Sequence, residues 1–364
     1  MQSFPTATSW TIALSAAPQG PPVTAGDRIF FALESGIVQA RSLERGAEIW
    51  TEKIQASGPI VADADVVVVP AQGTLHGLAA ATGRKLWEMP LGELTAPALL
   101  RGGWLVVAVE DGLAAYRAAD GVRLWRRAIG RIEERPAVDG PVLFVSVTDG
   151  RVAALELESG SPHWDRRVGS TPTEPYVLAE RVYVGSNGRD LVCLRAATGE
   201  ESWRFPIGAA VRGAAVADPS HVYVVAMDNL LRALHRTNGA LKWKRDIRYR
   251  PSAGPFLLGR YVGVPGMTGV LRGFDALTGA PSGDLKLVDP LVTVPATSEP
   301  SGGRLAMIIG VTGNLRGQWT LVAATEPLPS LPVAPLKALP GTALPPLTPS
   351  GQAAPEPWPP ARPG

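Results

Sequence analysis

The sequence predicts an all-β protein, an eight-bladed β-propeller of four-stranded antiparallel blades whose ring is closed by the N-terminal strand. Three observations lead to this prediction. A glycine followed four residues later by a tryptophan recurs at intervals of 37 to 40 residues. Each interval holds several short β-rich runs separated by turn residues, and no segment shows helical periodicity. A period near 40 residues is typical of solenoids, propellers and arrays, and four short strands per period favour the propeller.

The repeated unit is clearest at residues 73–87, which read GTLHGLAAATGRKLW. We interpret its tryptophan as a structural residue, an indole wedged between neighbouring blades, which buries roughly 150–250 Å². The glycine serves the turn before the tryptophan strand. The unit at Gly279 departs from the pattern because Gly283 stands in the tryptophan position. The predicted structural tryptophans are Trp10, Trp50, Trp87, Trp125, Trp164, Trp203 and Trp243.

Four strands can be assigned within each unit. The first is short and often opens with proline, as at Pro59 and Pro136, and a run of about five β-formers follows. A turn such as Glu110-Asp111-Gly112 leads to a second short strand, because glycine tolerates a positive φ. The Thr-Gly or Asp-Gly turn and the tryptophan strand complete the unit. The eight β-rich runs are 29–33, 66–69, 104–109, 143–147, 182–184, 222–225, 261–264 and 305–309.

The last unit ends where its tryptophan strand should begin, and the missing strand is found at the other end of the chain. Trp10 lies 40 residues before Trp50, which is the repeat spacing. Residues 10–17 are therefore predicted to complete the last blade, since closure removes exposed strand edges. Their short apolar stretch is not read as a signal peptide, because the first basic residue is Arg28.

These elements divide the chain into three parts. We expect a short N-terminal extension over 1–9, the propeller over 10–325, and a disordered proline-rich tail over 326–364. Thirteen of the 39 tail residues are proline. Proline donates no backbone hydrogen bond and fixes φ, so the tail is predicted to be an extended spacer.

Composition excludes several classes of protein. The chain has 364 residues, with 35 Lys+Arg against 33 Asp+Glu, so the net charge of +2 argues against a nucleic-acid binder. One cysteine, Cys193, permits no intrachain disulfide and no CxxC motif. No apolar run approaches the ~20 residues that span a bilayer, so no transmembrane segment is predicted. We expect a monomer.

No catalytic, metal or cofactor site is predicted. Cys193 lies in a strand where a small buried residue is needed. The four histidines fall at different positions of their repeats, so no ring of metal ligands is expected. The sequence contains no GxSxG elbow, P-loop or dinucleotide fingerprint.

The loops that lead into the inner strands are more informative, because propeller geometry gathers them around one mouth of the central channel. Charged residues on loops of a rigid scaffold suit contacts with a partner. The charged residues in these loops are Glu93, Arg131, Glu133, Glu134, Arg135, Glu174, Arg212, Arg248 and Arg250. From this region we predict partner-binding residues, with Arg250 favoured because Tyr and Arg are frequent interface anchors. The predicted set is Tyr249, Arg250, Ser252, Arg212, Glu133 and Arg135.

The units resemble the PQQ-type propeller repeat, in which a strand ending Ala-Leu-Asp-Ala-x-Thr-Gly precedes a tryptophan. Residues 79–87, 116–125, 194–203, 234–243 and 274–279 carry this resemblance. One branch of that family, the quinoprotein dehydrogenases, uses PQQ and calcium to oxidise alcohols or sugars. Those enzymes carry a vicinal cysteine pair and a calcium-binding carboxylate set, which the sequence does not show.

The other branch comprises compact, non-enzymatic propellers similar to BamB, an outer-membrane assembly lipoprotein. Their partner-binding loop, Leu-Arg-Gly-Glu-Ser-Ala-Pro, has its nearest match at residues 249–255, which keep the arginine and final proline. The resemblance implies a non-catalytic scaffold for protein–protein interaction in the cell envelope or periplasm, although no lipobox cysteine is present. Its partners would belong to the outer-membrane assembly machinery. The alternatives are a PQQ- and calcium-dependent dehydrogenase, or a ligand-binding or sensor propeller.

Overall fold

The computed structural model of the chain describes residues 4, 7–110, 112–266, 269–293, 295–298, 307–314 and 316–325. Within them the chain forms 32 strands and no helix, hence no helix that could cross a membrane. The strands make eight four-stranded antiparallel sheets, which confirms the predicted fold class. The predicted tail over 326–364 lies outside the described residues, as do residues 1–3, 5 and 6 of the predicted extension and 305–306 of the last β-rich run.

In each blade the four strands lie side by side, from the innermost strand at the channel to the outermost. The first two blades are β2 (Val23–Ala25), β3 (Arg28–Leu33), β4 (Ile37–Ser42), β5 (Glu48–Lys53), and β6 (Val61–Ala62), β7 (Val66–Ala71), β8 (Thr74–Ala79), β9 (Lys85–Pro90). The third and fourth are β10 (Leu99–Arg101), β11 (Trp104–Val109), β12 (Gly112–Arg117), β13 (Arg123–Ala128), and β14 (Ala137–Asp139), β15 (Val142–Val147), β16 (Arg151–Glu156), β17 (Pro162–Arg167).

The remaining blades follow the same order. The fifth and sixth are β18 (Tyr176–Leu178), β19 (Arg181–Gly185), β20 (Asp190–Arg195), β21 (Glu201–Pro206), and β22 (Val216–Ala217), β23 (His221–Val225), β24 (Leu230–His235), β25 (Leu241–Asp246). The seventh is β26 (Phe256–Leu258), β27 (Tyr261–Val264), β28 (Val270–Asp275), β29 (Pro281–Lys286). The eighth is β30 (Ala296–Ser298), β31 (Met307–Gly313), β32 (Trp319–Thr325) and β1 (Ala7–Leu14).

The hydrophobic core lies between the blades. Strands such as β11 are buried on both faces, because each blade is covered by a neighbour on either side. Apolar side chains of the third and fourth blades form one such layer, which includes Val106 and Leu113 opposite Leu143 and Leu155. The outermost strands alternate between exposed and half-buried residues, as in β13. A blade therefore has no complete core of its own and needs both neighbours.

The repeat tryptophans join each blade to the next. Each indole Nε1 donates a hydrogen bond to a backbone carbonyl that lies 30 to 33 residues further along the chain, in the following blade. The seven bonds are Trp10 to Leu43 (3.2 Å), Trp50 to Ala80 (2.9 Å), Trp87 to Ala118 (2.7 Å), Trp125 to Leu157 (2.8 Å), Trp164 to Ala196 (2.8 Å), Trp203 to Arg236 (2.9 Å) and Trp243 to Ala276 (3.1 Å).

The repeat glycine is required on the other side of the same contact. Gly199 has a φ of +70°, and a Cβ added to it would stand 2.5 Å from the Trp164 ring. The other repeat glycines are placed in the same way against the tryptophan of the preceding blade. The glycine therefore serves both a left-handed turn and a close approach, two needs that no other residue meets.

A β-bulge sets the direction of each tryptophan. In the second blade Gly77 pairs with Trp87 and Leu78 with Lys85, so Leu86 is an extra residue in the outer strand. The register shifts at the equivalent point in the first seven blades. The residue directly before the tryptophan is a large apolar side chain that is exposed in three of these blades: Ile49, Leu86 and Leu124. The bulge exposes these side chains because an unpaired residue re-aims its neighbours.

The start of the chain closes the ring, as predicted. Strand β1 pairs antiparallel with β32, with Trp10 opposite Ala323, and the innermost strands β2 and β30 contact each other. The strand occupies 7–14 where the sequence favoured 10–17, because the chain beyond Leu14 turns so that Pro18 can bridge to Leu33.

Phe4 supplies the contact that the seventh blade lacks. Gly283 replaces the tryptophan there, and the fully buried Phe4 ring covers Gly273, the residue that pairs with Gly283. Its ring meets Tyr261 edge-on at 6.1 Å, and its amide donates to the Ser282 carbonyl at 3.2 Å. Phe4 thus packs between the seventh and eighth blades with Leu285 and Ile308.

Replacing Gly199 by alanine is expected to destabilise the ring strongly, because the new methyl group collides with Trp164. Gly140→Ala is the matched control, since Gly140 also has a positive φ (+54°) but nothing lies within 4 Å of its added Cβ. We expect the control to cost about 1 kcal/mol from backbone strain alone, and Gly199→Ala to cost roughly 1–3 kcal/mol more. Urea unfolding followed by tryptophan fluorescence measures the free energy of unfolding of both variants. Equal losses of stability would contradict the proposed role of the contact between Gly199 and Trp164.

Candidate interaction site at the channel mouth

The mouth is built from the loops that connect the outer strand of one blade to the inner strand of the next. Seven of these loops, among the described residues, pair once with the end of the second strand of the blade that they enter, as at Pro172 with Ser186 and Val211 with Ala226. A backbone pair fixes the loop as an extension of the sheet. The side chains that follow the paired residue are therefore held by the rigid blades.

Two glutamates occupy equivalent places in neighbouring loops. Glu174 lies two residues after the bridging Pro172, and Glu134 lies two residues after the fully buried Ile132. The same position elsewhere holds a small residue, namely Gly20, Gly58, Ala96, Gly213, Ala253 and Thr293. The fourth and fifth blades therefore present a pair of carboxyl groups where the other blades present little more than backbone.

Burial and mutual repulsion perturb this pair. Burial, and then the nearby charge of Glu174, raise the pKa of Glu134 from its ordinary 4.5 to about 7, against an opposing effect of Arg212. Burial also raises the pKa of Glu174, with Arg135 acting in the opposite direction. The four side chains therefore share one electrostatic environment, in which Glu134 changes charge near neutral pH.

The arginines of the mouth differ in how they are held. Arg212 is exposed, and its Nε donates to the Ser252 carbonyl at 3.0 Å, which ties the loops of the sixth and seventh blades together. Arg135 has a buried Nε without a hydrogen-bond partner among the described residues. Arg131 donates to Glu133 at 2.7 Å, and both of these side chains are exposed.

In the loop from Arg248 to Ser252, the internal Tyr249 stands beside the exposed Arg250. The Tyr249 hydroxyl donates to the Val264 carbonyl at 2.6 Å, and its ring lies against Gly266, where a Cβ would stand 2.4 Å from the ring. Burial raises the pKa of Tyr249 to about 12. Arg250 is exposed, and its side chain makes no hydrogen bond or ion pair within the described part of the chain. Tyr249 supports the loop, and Arg250 is the side chain that it presents.

The structure brings together Glu133, Glu134, Arg135, Glu174 and Arg212, and it joins Arg212 to Ser252. Glu93 instead borders a separate cavity of about 590 Å³ between the loops of the second and third blades. Thr95 lines that cavity, and its buried hydroxyl has no partner among the described residues. No motif in the sequence singles out Thr95. The equal repeat positions of Glu134 and Glu174 are the signal that could have identified the carboxyl pair.

No metal centre is formed by the described residues, since none of their His, Cys, Asp and Glu side chains gather in groups of three that could hold an ion. Cys193 is fully buried, and burial raises the pKa of its thiol. The His221 and His235 rings are tilted by 43° with their centroids 5.1 Å apart, and His163 instead contacts Glu156 at 2.9 Å. The mouth therefore offers charge and hydrogen bonding for recognition.

Removing the charge of Glu134 is expected to stabilise the protein at alkaline pH. The folded pKa lies above the unfolded value, so the wild-type protein loses stability as pH rises from about 4.5 through about 7. Glu134→Gln should therefore raise the free energy of unfolding at pH 8 by about 1 kcal/mol, allowing for solvent screening, and change it little at pH 5.

Thermal unfolding at the two pH values tests this expectation. Glu133→Gln is the matched control, because Glu133 is exposed and paired with Arg131. A gain of the same size in the control, or a gain for Glu134→Gln that is independent of pH, would contradict the burial of the Glu134 carboxyl group.

Comparison with known proteins relates the chain to one family. The model of a family described as outer membrane protein assembly factor BamB matches residues 34–177 and 169–326. BamB of Yersinia pestis is 24% identical over an alignment of 274 residues that covers 71% of this chain and 61% of that protein, so the match spans less than two thirds of the relative.

Solved structures show the same fold. The crystal structure of BamB from Moraxella catarrhalis has a TM-score of 0.72 at 21% identity, covering 87% of this chain and 99% of that one. The quinohemoprotein alcohol dehydrogenase ADHIIG of Pseudomonas putida also has a TM-score of 0.72, at 12% identity, covering 89% and 78% respectively. At these identities the structures establish the ring and nothing about activity. The family match covers most of the propeller, and on that basis the chain belongs to the family of outer membrane protein assembly factor BamB.

Proposed function

We propose that this protein is a non-catalytic propeller scaffold of the cell envelope that holds a protein partner at the mouth of its channel. The observation that carries the proposal is the charged cluster of the mouth, which rigid loops of three neighbouring blades present together in a member of the BamB family. Its partner would be a component of the machinery that assembles outer-membrane proteins, as the name of the BamB relatives implies for them.

The arrangement of the mouth suits binding of a protein. Backbone bridges tie seven of the loops to the blades, and a hydrogen bond from the Thr148 amide to the Arg131 carbonyl (3.0 Å) ties the loop of the fourth blade, so little conformational entropy is lost when a partner docks. Arg212 and Arg250 are exposed, and arginine is enriched among the residues that dominate interfaces. Glu133 and Arg135 extend the charged surface, and Ser252 and Tyr249 hold the seventh-blade loop in place.

Electrostatics would set the specificity of this contact. The carboxyl pair of Glu134 and Glu174 favours a basic group of the partner, and the exposed Arg212 and Arg250 favour acidic groups beside it. Such mixed charges fix the orientation of a partner more than they raise its affinity.

Loss of the Arg250 guanidinium is expected to weaken the partner complex without altering the fold. Because Arg250 is exposed and has no intramolecular contact in the described residues, Arg250→Ala should leave the melting temperature unchanged. Immobilised wild-type and variant proteins should be compared for capture of outer-membrane assembly proteins from envelope extracts, with several-fold less captured by the variant.

Arg45→Ala is the matched control, since Arg45 is also exposed and lies in a turn of the first blade. Its Nε is 3.8 Å from the carboxylate of the exposed Glu44. Equal capture by wild-type protein and Arg250→Ala would refute the role of Arg250. Capture that contains no outer-membrane assembly protein would refute the proposed partner.

A quinoprotein dehydrogenase is the second candidate, and the described residues do not fit its cofactors. Calcium prefers six to eight oxygen ligands, several of them carboxylates. The half-buried carboxyl groups of Glu134 and Glu174 fall short of such a set, since no group of three His, Cys, Asp or Glu side chains that could hold an ion forms among the described residues. The one cysteine is buried in a strand core.

Titration with PQQ and Ca²⁺ separates the two functions. A ligand that binds only the native state must stabilise it, so a dehydrogenase would show a saturable change in tryptophan fluorescence and a higher melting temperature. We expect neither. A saturable response would contradict the scaffold, and turnover of alcohols or sugars with an artificial electron acceptor would establish the enzyme.

A further inference from the structure

A basic groove lies at the interface between the sixth and seventh blades. Its volume is about 640 Å³, and residues of β25, β28 and β29 form most of its walls. Four of the lining residues are basic and two are acidic, which gives a formal charge of +2: Arg245, Arg248, Arg272, Lys286, Asp246 and Asp284. None of the six residues predicted to bind a partner at the mouth lines it.

The backbone at Arg248 is the most unusual feature of this groove. Arg248 has a φ of +63°, in the left-handed region that favours glycine. It stands five residues after its repeat tryptophan, and the same position in the three preceding blades holds Gly130, Gly169 and Gly208, all with positive φ. The sixth blade thus keeps a glycine conformation but places an arginine there. Strained residues of this kind cluster at functional sites.

The side chain of Arg248 gives no structural reason for its presence. It is exposed, and it makes no hydrogen bond or ion pair within the described part of the chain. Only its backbone amide is engaged, donating to the Asp246 carboxylate at 2.7 Å. The Arg248 side chain is therefore available for contact with a partner outside the chain.

The other two arginines of the groove are fixed by internal contacts. Arg245 donates to the carbonyls of Gly279 at 2.7 Å and Thr278 at 3.0 Å. Arg272 binds Asp284 through two hydrogen bonds, of 2.8 and 2.9 Å, which neutralises that carboxylate. Their charges are held in place along the wall, and the exposed Arg248 and Lys286 are left to meet an anion at the rim.

We propose that this groove binds an acidic peptide segment in an extended conformation. Carboxylates of the segment would meet Arg248 and Lys286, and an apolar residue between them would lie on Pro281 beside the ring of Phe274. Strands β25 and β29 are the outermost of their sheets, so their outer edges have no neighbouring strand in the described part of the chain. A peptide can pair with such an edge through its backbone, whereas a small anion cannot use it, so a peptide is favoured.

The test uses the full chain and a fluorescein-labelled octapeptide that alternates glutamate with leucine, followed by fluorescence anisotropy at low salt. A peptide with glutamine in place of glutamate controls for charge. We expect the glutamate peptide to bind more tightly, with an affinity that falls as salt is added, because exposed charges are screened.

Arg248→Gly restores the residue that the repeat uses, so the fold should keep or gain thermal stability while the peptide affinity falls about tenfold. Arg189→Gly is the matched control, because Arg189 is also exposed and left-handed, with a φ of +72°, in a turn of the fifth blade. It should leave binding unchanged. Lys286→Gln should also lower the peptide affinity, and this substitution does not alter backbone strain.

Three results would overturn the proposal. They are no binding of the glutamate peptide, equal binding of the glutamine peptide, and equal losses in Arg248→Gly and Arg189→Gly. Displacement of the peptide by millimolar inorganic phosphate or pyrophosphate would instead assign the groove to small anions. The mouth variant Arg250→Ala should retain peptide binding, so failure here is distinguishable from failure at the mouth.

Discussion

The packing of an indole against the glycine turn of the next blade is the contact on which the whole ring depends. It combines three constraints at one point, namely a left-handed glycine, an apolar surface and a hydrogen bond from the indole to a backbone carbonyl. The first six blades both receive and supply such a contact, the seventh only receives one and the eighth only supplies one, and the apolar layers lie between blades. Stability is therefore shared between neighbours, as in other repeat proteins, but here the array closes on itself.

Because the blades are fixed in this way, the loops of the mouth can carry groups that do not favour folding. Glu134 and Glu174 are partly withdrawn from water and repel each other, and the buried Nε of Arg135 finds no hydrogen-bond partner among the residues that the structure describes. Such features are tolerated where the surrounding structure determines the backbone, and they cluster at sites of recognition. The mouth and the groove of the sixth and seventh blades share this character, although the mouth presents charges of both signs and the lining of the groove is mainly basic.

The fold could be predicted from the sequence because the glycine and tryptophan are needed together, at one spacing, in nearly every blade. What lies outside the repeat could not be predicted. Phe4 has no equivalent in another unit, so nothing marked it as the replacement for the missing tryptophan at Gly283. Arg248 stood visibly at a glycine position, but its left-handed backbone emerged only from the structure. The role of Tyr249 depends on its contact with Gly266, which is 17 residues away in sequence and cannot be inferred from local pattern.

The closing strand gives this ring a particular order of assembly. Synthesis makes β1 first, yet its partner β32 ends at Thr325 and is made last among the described strands. A newly made chain must therefore hold Trp10 and Phe4 unpaired while seven blades emerge, with apolar surface open to wrong contacts. The final pairing joins residues more than 300 positions apart, a contact of very high sequence separation that slows folding. The circle thus becomes complete in a single late event, in which the two ends of the propeller meet in one sheet.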